Sequence, residues 1–308
     1  MTHKHSLDHP FSVRELDSFE PELEEFTFPY WRGFFRSLGN ETVEGQTPFA
    51  VAAVSPEGEK VGLLLGGVEE KAERRAVFLS VYVVPHWRGR GVGRALWSAA
   101  EERAQKAGAE TATVTYILGK PSIAFLEKIL ARQDWSVPQL NMYVVWLGLK
   151  TIREASWMQK FRLPEDYEIV QWGNLGKAEI EELTASDAKE GWVPPDLRPL
   201  NYVEGCHKES SLALKKKGKV RGWLIIHLVN GVLRLSCGYV HPELQRRGRM
   251  FLLYAEAARR VEPLGLEEIS ATVPSRHAGM AAFARRWLKP LSTRFTESRI
   301  AGKALRQE

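Results

Sequence analysis

The order of apolar and polar positions is most informative between residues 79 and 108. Residues 79–84 are apolar, small or β-branched, which predicts a buried strand, and Pro85 ends it. A loop rich in glycine and arginine follows at 88–93. From Arg94 the apolar residues recur every three to four positions as far as Gly108, a natural helix stop. The pattern therefore predicts a strand, a glycine-rich turn and a helix, in that order.

This arrangement predicts an anion-binding site at the start of the helix. The first N–H groups of a helix have no partner within it and lie at the positive end of its dipole. Gly91 would let an anion approach the backbone, and Gly93 would let the helix lie close to the strand. Arg88 and Arg90 add positive charge. A dinucleotide loop needs G-x-G-x-x-G with a later acid, and a nucleotide P-loop needs G-x-x-x-x-G-K-[ST]; the sequence fits neither.

The spacing V-x-P-x-x-R-G-x-G-x-G before an amphipathic helix resembles the acyl-CoA pyrophosphate loop of the GNAT acyltransferase superfamily. In this sequence the motif consists of Val83, Pro85, Arg88, Gly89, Gly91 and Gly93. The resemblance implies acetyl-CoA or a longer acyl-CoA as co-substrate. The residues expected to bind it are Val83, Arg88, Gly89, Arg90, Gly91, Val92, Gly93 and Arg94.

The layout of this stretch repeats near the C-terminus. Three proline and glycine residues that end or begin predicted elements recur at one offset of 157 positions. Pro85 pairs with Pro242, Gly91 with Gly248 and Gly108 with Gly265. We therefore expect an α/β protein of two tandem GNAT-type domains, each a mixed, mostly antiparallel sheet flanked by helices. The expected ranges are 1–150 with the intact loop, 151–165 as a connection, and 166–308 with a degenerate loop.

Periodicity and turn signals place the remaining elements in a β/α order. Residues 20–38 are predicted to be helical, with an interruption at Pro29, and residues 192–199 to be a proline-broken loop. Strands are predicted at 11–16, 47–55, 60–68, 110–117, 141–149, 167–171, 211–214, 220–228, 232–240 and 295–300, and further helices at 122–132, 177–189 and 275–288.

One difference between the two glycine-rich loops bears on CoA binding. Met250 stands where the family has glycine or alanine, and a thioether there would obstruct close approach of the backbone to a pyrophosphate or of the helix to the strand. We therefore predict that the first half binds CoA. The second half is either a structural partner or substrate platform, or a second, altered CoA site.

The chemistry is less well specified by the sequence. Acyl transfer to an amine needs a neutral amine, a stabilised oxyanion and a protonated thiolate. The family often has an acid on its fourth strand and a tyrosine in its late helix. Leu79 and Ser80 occupy the first place here, and Leu126 the second. The candidates chosen by location alone are Tyr82, His86, Tyr116 and Tyr143, with His241 and His277 from the other half. Each of these side chains also fits a packing or surface role.

Aromatic residues are concentrated at 26–35. In this fold the early helical region commonly walls the acceptor or acyl pocket, which makes Phe28, Trp31, Phe34 and Phe35 candidate substrate residues. The same residues would also suit packing between the two halves.

Charge and composition narrow the class of protein. Residues 1–150 carry a net charge of −2 and residues 151–308 a net charge of +7. A basic surface suits a phosphate or an acidic peptide acceptor, and it also occurs as an ordinary solvated face. The two cysteines have no metal-site or disulfide spacing, and we expect no metal, no nucleic-acid partner and no membrane span. A cytoplasmic location is the expectation, and the oligomeric state is open.

The sequence thus predicts an acyl-CoA-dependent N-acyltransferase that moves an acetyl or longer acyl group to an amine of a small molecule or peptide. The alternative is a CoA-binding regulatory or scaffold protein without turnover.

Overall fold

A computed structural model describes residues 10–40, 42–71, 73–155, 162–229, 231–245 and 247–305. The chain divides into two compact units: unit 1 is Met1–Asn141 with Ser298–Glu308, and unit 2 is Met142–Glu297. Arg246 and residues 156–161 of the expected connection lie outside the described residues.

Unit 1 contains a mixed sheet with helices on both faces. Its elements are β1 (Ser12–Leu16), α1 (Arg32–Arg36), β2 (Gln46–Val54), β3 (Lys60–Glu69), β4 (Arg75–Val83), α2 (Val92–Lys106), β5 (Thr111–Ile117), α3 (Ile123–Arg132) and the start of β6 (Gln139–Gly148). The strands lie in the order β1, β2, β3, β4, β5, followed by residues 298–304 of the last strand, β12 (Ser292–Ala304). All of these pairs are antiparallel except β4 with β5, which is parallel.

Unit 2 repeats this plan. Its elements are the rest of β6, α4 (Leu149–Glu154), β7 (Tyr167–Gln171), α5 (Lys177–Glu190), β8 (Leu212–Lys216), β9 (Lys219–Val229), β10 (Val232–Val240), α6 (Arg249–Val261), β11 (Glu268–Pro274), α7 (Ala278–Phe283) and the start of β12. The strand order is β7, β8, β9, β10, β11, β6, and again only one pair, β10 with β11, is parallel. The predicted α/β class is confirmed, because the strands of each unit form a mixed, mostly antiparallel arrangement flanked by helices.

Each unit takes its sixth strand from the other half of the sequence. Residues 298–304 pair with β5 of unit 1, and residues 142–148 pair with β11 of unit 2. The compact units therefore do not coincide with the ranges 1–150 and 166–308. Those ranges stay a prediction of where the two repeats lie along the chain.

The two faces of the unit 1 sheet have separate cores. On one face α2 and α3 cover β-strand residues, with Leu96 and Trp97 almost wholly buried. On the other face α1 and the turns before it cover a second cluster that includes Leu63 and Phe35. Each candidate residue on these strands can therefore be assigned to one of the two faces by the core that it contacts.

The prediction of a helix over 20–38 was wrong in part. Pro29 does interrupt the segment, but only α1 is α-helical, and the rest forms two 3-10 turns, Pro21–Phe26 and Pro29–Trp31. A proline at the first position of each turn removes an N–H group, and Phe28 before Pro29 is held extended at φ −65°, ψ 145°. No described helix is long and apolar enough to cross a membrane.

Candidate active site

The glycine-rich loop of unit 1 leads directly into α2. Gly89 and Gly91 have φ values of +77° and +88°, which glycine adopts at no steric cost. Gly91 is the N-cap of α2, and no side chain caps this end of the helix. The first N–H groups of α2 are thus left for a ligand or solvent.

Gly93 has a different role, because its backbone is ordinary helix. A Cβ at this position would lie 3.3 Å from Cδ1 of Ile129 on α3 and 3.8 Å from Cγ2 of Val83 on β4. The glycine therefore allows close packing chiefly against α3, and only secondarily against the strand named in the prediction.

The arginines of the loop form contacts that leave their charge available. Arg88 Nε donates a hydrogen bond of 2.9 Å to the Val83 carbonyl, and the Arg90 guanidinium lies 5.3 Å from the centroid of the Trp87 ring. Among the described residues, no carboxylate lies within 4.0 Å of Arg88, Arg90 or Arg94. All three side chains are exposed. Within the described part of the chain, this end of α2 therefore carries positive charge without a carboxylate partner, and an anion would supply one.

The strands beside the loop separate. The recorded parallel pairing of β4 with β5 runs only from Arg75 with Thr111 to Phe78 with Val114. Leu79 is an unpaired bulge residue against β3, and from there β4 continues paired with β3 alone among the described strands. Among the described strands, a wedge between β4 and β5 therefore opens beyond Phe78 and leads towards the start of α2, where the Val83 carbonyl already accepts the hydrogen bond from Arg88.

The four catalytic candidates do not come together. Tyr82 lies on the α1 face with its ring 5.0 Å from that of Phe26, whereas Tyr116 belongs to the core under α2 and α3. The His86 side chain is 63% exposed. Tyr143 belongs to unit 2, where its ring lies 5.0 Å from that of Phe295. No acid–base pair is formed by these four residues within either unit.

Tyr116 has a defined partner that the sequence did not indicate. Its hydroxyl donates a 2.9 Å hydrogen bond to Glu127 Oε1, which also lies 3.3 Å from Arg299 Nη1. Burial, followed by the hydrogen bond and the negative charge of Glu127, raises the pKa of Tyr116 well above its ordinary value. A phenol held neutral in this way can donate a hydrogen bond but is poorly suited to accept a proton from an amine.

A second polar pair lies on the α1 face of β4. The hydroxyls of Thr27 and Ser80 share a hydrogen bond of 2.6 Å, and both side chains are buried. Ser80 occupies a position where the family often has an acid, and it is one residue beyond the bulge. The sequence identified Ser80 as a place without an acid, but nothing in the sequence indicated Thr27 as its partner.

The four substrate candidates divide between core and surface. Phe34 and Phe35 are buried in the core of the α1 face, and Trp31 is half-buried with its ring 6.1 Å from that of Phe34. Phe28 is 49% exposed, and Lys120 Nζ lies 4.9 Å from the centroid of its ring. Lys120 belongs to the turn between β5 and α3, so Phe28 lies beside that turn.

Unit 2 reproduces the frame of the site at the offset of 157. Gly248 is the left-handed N-cap of α6, as Gly91 is of α2. Gln245 Nε2 donates a 3.2 Å hydrogen bond to the Val240 carbonyl, the counterpart of the bond from Arg88. Ser236 is an unpaired bulge residue on β10, at the position that corresponds to Leu79.

The repeat seen in the sequence is thus also a repeat of detailed backbone geometry. A family model for the acetyltransferase (GNAT) family matches residues 11–131 and 177–288, which together make up most of the chain. The protein therefore belongs to the GNAT family and contains two GNAT-type regions in tandem.

Solved structures with the same fold cover nearly the whole chain. A tandem GNAT protein from the clavulanic acid biosynthesis pathway matches with a TM-score of 0.65 at 16% identity, over 97% of this chain and 99% of that one. A glucosamine N-acetyltransferase region of a fungal multi-domain GH3 β-N-acetylglucosaminidase also gives 0.65 at 16% identity, over 95% of this chain and 38% of that one. A GCN5-related N-acetyltransferase from Sphaerobacter thermophilus gives 0.56 at 16% identity, over 97% and 96%. At these identities the likeness shows the fold alone. None of the curated proteins matches the chain significantly.

Proposed function

We propose that unit 1 binds acyl-CoA and transfers its acyl group to an amine. The observation that carries this proposal is the uncapped start of α2 beside three arginines that have no carboxylate partner among the described residues. A pyrophosphate fits such a place, because free N–H groups and positive charge both stabilise an anion. Arg88, Arg90, Arg94 and the backbone of 91–93 would hold it.

The wedge between β4 and β5 suits the extended part of the same co-substrate. A strand edge with free backbone groups can hydrogen-bond an extended ligand as a further strand would. When bound, acyl-CoA supplies an acyl group already activated as a thioester. The chain's own contribution is to fix that group against the acceptor and to keep the two in one orientation.

The polar groups near the wedge point to an acceptor with a weakly basic amine. The Thr27–Ser80 hydroxyl pair can orient an amine by hydrogen bonding but cannot take its proton at neutral pH. An α-amino group, with a pKa of about 7.7–8.0, is partly neutral near pH 7.5, whereas a lysine side chain at about 10.4 is not. We therefore propose an α-amino or less basic amine, on a small molecule or on a peptide, as the acceptor.

Release of free CoA tests this function. Purified protein is incubated with acetyl-CoA or octanoyl-CoA and a panel of amines, and the new thiol is titrated. We expect turnover with α-amino acceptors, rates that rise with pH through the acceptor's own pKa, and at least tenfold slower reaction with acceptors that offer only a lysine-type amine. Equal rates with both amine types at pH 7.5 would contradict the proposed acceptor class.

The alternative function is CoA binding without turnover. It is favoured by the residues at 79 and 80, where leucine and serine stand in the place that the family often gives to an acid. The same assay separates the two functions. Saturable CoA binding by calorimetry, with no thiol released from any donor and amine, would support the regulatory protein.

A further inference from the structure

A serine and a histidine of unit 2 meet where β10 contains a bulge. The pairing of β10 with β9 passes from Leu235 to Cys237 and leaves Ser236 without a partner on β9. A bulge can redirect the side chain of its extra residue. Here Ser236 Oγ lies 2.8 Å from Nδ1 of His227 on β9. The bulge thus holds a hydroxyl within hydrogen-bond distance of an imidazole.

The backbone of Glu204 fixes the direction of this hydrogen bond. His227 Nε2 lies 2.9 Å from the Glu204 carbonyl oxygen, which can only accept a proton. Nε2 therefore carries the ring's proton, and in the neutral ring Nδ1 has the lone pair that accepts the Ser236 hydroxyl. The other acceptor recorded for this hydroxyl among the described residues is the Arg234 carbonyl, at 3.4 Å. A hydroxyl bonded to an imidazole that a third group orients is the arrangement of an activated nucleophile.

The pair lies on the side of the strands that faces α5. His227 follows Trp223 and Ile225 at every second position of β9, and both of those residues belong to the core under α5. The side chains of α6 pack on the opposite side of β10. Ser236 and His227 are half-buried and line open space in unit 2. A small substrate can therefore reach the hydroxyl.

A positive charge lies beside the pair. Arg234 is directly opposite His227 in the register of β10 with β9, so the two side chains share a face with their Cβ atoms about 5 Å apart. The Arg234 side chain is exposed, and no carboxylate lies within 4.0 Å of it among the residues described. When a serine oxygen attacks a carbonyl carbon, the carbonyl oxygen becomes negative, and a guanidinium at this place would stabilise it.

Unit 1 has the same bulge without these three side chains. Its bulge residue is Leu79. Val77 takes the place of Arg234 at the offset of 157. Gly67 lies opposite Val77, where unit 2 has His227. The bulge therefore forms without a serine or a histidine, and packing of the strands does not account for the pair in unit 2.

We propose that Ser236 is a nucleophile activated by His227, and that unit 2 hydrolyses small carboxylic esters through an acyl-serine intermediate. His227 acts as the base, the Glu204 carbonyl holds its tautomer, and Arg234 stabilises the oxyanion. The observation that carries this proposal is the chain of contacts from the Glu204 carbonyl through the imidazole to the hydroxyl. The activity belongs to unit 2 and does not depend on the proposed function of unit 1.

The reaction has two steps, and water is its second reactant. In the first step the Ser236 oxygen bonds to the ester carbonyl carbon while His227 Nδ1 takes the hydroxyl proton. The bond from that carbon to the alcohol oxygen then breaks, and the alcohol leaves with the proton from His227. In the second step water gives a proton to His227 and adds to the acyl carbon. The bond to Ser236 breaks, the carboxylic acid leaves, and the proton returns to the serine oxygen.

A fluorophosphonate probe, which bonds covalently to activated serine oxygens, tests this site on the full chain without CoA. Peptide mass spectrometry locates the label. We expect one label per chain on Ser236 and none in Ser236→Ala. Labelling should be at least about a hundredfold slower in His227→Gln, which removes the base, and at least about tenfold slower in Arg234→Gln. Folded wild-type protein that takes no label, or takes it on another residue, would overturn the proposal.

A second serine and histidine of unit 2 provide a matched control. Ser210 Oγ lies 2.9 Å from His207 Nδ1, but Ser210 is wholly buried. Ser210→Ala and His207→Gln should leave both labelling and the hydrolysis of p-nitrophenyl acetate unchanged, whereas Ser236→Ala should reduce hydrolysis to the rate without protein. Equal hydrolysis by wild type and Ser236→Ala would overturn the proposal. Melting temperatures show which variants fold, and the residue labelled in wild type decides the question if Ser236→Ala does not fold.

Discussion

The side chain of Met250 lies over Gly238. A Cβ added at Gly238 would lie 3.6 Å from both the sulfur and the terminal methyl of Met250, so the thioether occupies the space above the glycine. The corresponding residues of unit 1 are Val81 and Gly93, the reverse combination of large and small. Unit 2 thus accommodates a methionine at the start of α6 by removing the side chain that faces it on β10.

This relationship predicts coupled effects on stability. Gly238→Val alone should destabilise the protein by about 1–3 kcal/mol through overpacking, and Met250→Gly alone by about 2–5 kcal/mol through the space it leaves. The double variant, which copies unit 1, should cost less than the sum of the two by about 0.5–3 kcal/mol. Urea unfolding of the four proteins measures the coupling, and additive effects would show that the two side chains do not share this space.

Met250 also shows what the sequence could and could not supply. The sequence singled out the residue as a departure from the family pattern, and its obstruction of the backbone was predicted from its size alone. The structure places the thioether on Gly238, between helix and strand, because β10 has no side chain there. Such compensation depends on which residue of another element faces a position, and a single sequence does not pair residues across elements.

The strands and the long helices were predicted well, because each has a clear period and is bounded by glycine or proline. Residues 20–38 were not, since their many apolar and charged residues suit a helix while Pro21 and Pro29 impose short turns. The contacts of Thr27 with Ser80 and of Tyr116 with Glu127 join residues 53 and 11 positions apart on different elements. No local pattern marks such pairs. The final strand was expected near residues 295–300, but its place beside β5 of unit 1 follows only from the tertiary pairing.

The Thr27–Ser80 pair should affect turnover without affecting CoA binding. Ser80→Ala removes one hydroxyl of the pair that we propose orients the acceptor amine, and we expect kcat/KM for the amine to fall about tenfold, the value of one hydrogen bond of about 1–1.5 kcal/mol. The dissociation constant of CoA should not change. Ser98→Ala is the control, since Ser98 accepts a 2.7 Å hydrogen bond from Gln133 on the outer side of α2. A fall in CoA affinity with Ser80→Ala would place this pair at the co-substrate instead.

Phe34 and Phe28 should separate packing from binding in the aromatic stretch. Phe34→Ala opens the core of the α1 face and should lower the free energy of unfolding by about 3–5 kcal/mol. Phe28→Ala, at a half-exposed ring, should change stability by less than about 1 kcal/mol. If Phe28 walls an acyl or acceptor pocket, its loss should reduce the preference for octanoyl-CoA over acetyl-CoA in competition binding. An unchanged preference would remove Phe28 from the substrate residues.

His241 should make the stability of the protein depend on pH. Its ring is buried beside Trp192, with ring centroids 4.7 Å apart, and its Nε2 atom has no hydrogen-bond partner among the described residues. Burial, and then the charge of Arg221, lower the pKa of His241, against smaller effects of Glu243 and Glu190. A lowered folded-state pKa means that protonation favours the unfolded chain.

The stability that neutral His241 contributes is therefore complete above the unfolded pKa of about 6.5. It is lost as the pH falls from there through the folded-state pKa, by at most about 1.4 kcal/mol per pH unit. Urea unfolding of wild type and His241→Gln between pH 8 and pH 5 measures the difference. We expect the loss in wild type to exceed that in the variant, and parallel profiles would show that His241 is not the group responsible.

The most direct test of the acyl-CoA site is calorimetric titration of CoA into wild type, Gly91→Asp and Gly58→Asp. Gly58 has a φ of +87°, like the +88° of Gly91, and neither position has atoms near an added Cβ, so Gly58→Asp reproduces the backbone strain away from the loop. Arg90→Glu, with Arg285→Glu as its control, reverses one charge at the same loop. We expect one CoA per chain, a loss of at least tenfold in affinity for Gly91→Asp and Arg90→Glu, and no change for the two controls, since a charge-assisted contact is worth about 1.5–3 kcal/mol. Unchanged affinity in Gly91→Asp, or two equivalent sites in wild type, would contradict the assignment of CoA binding to the loop of unit 1.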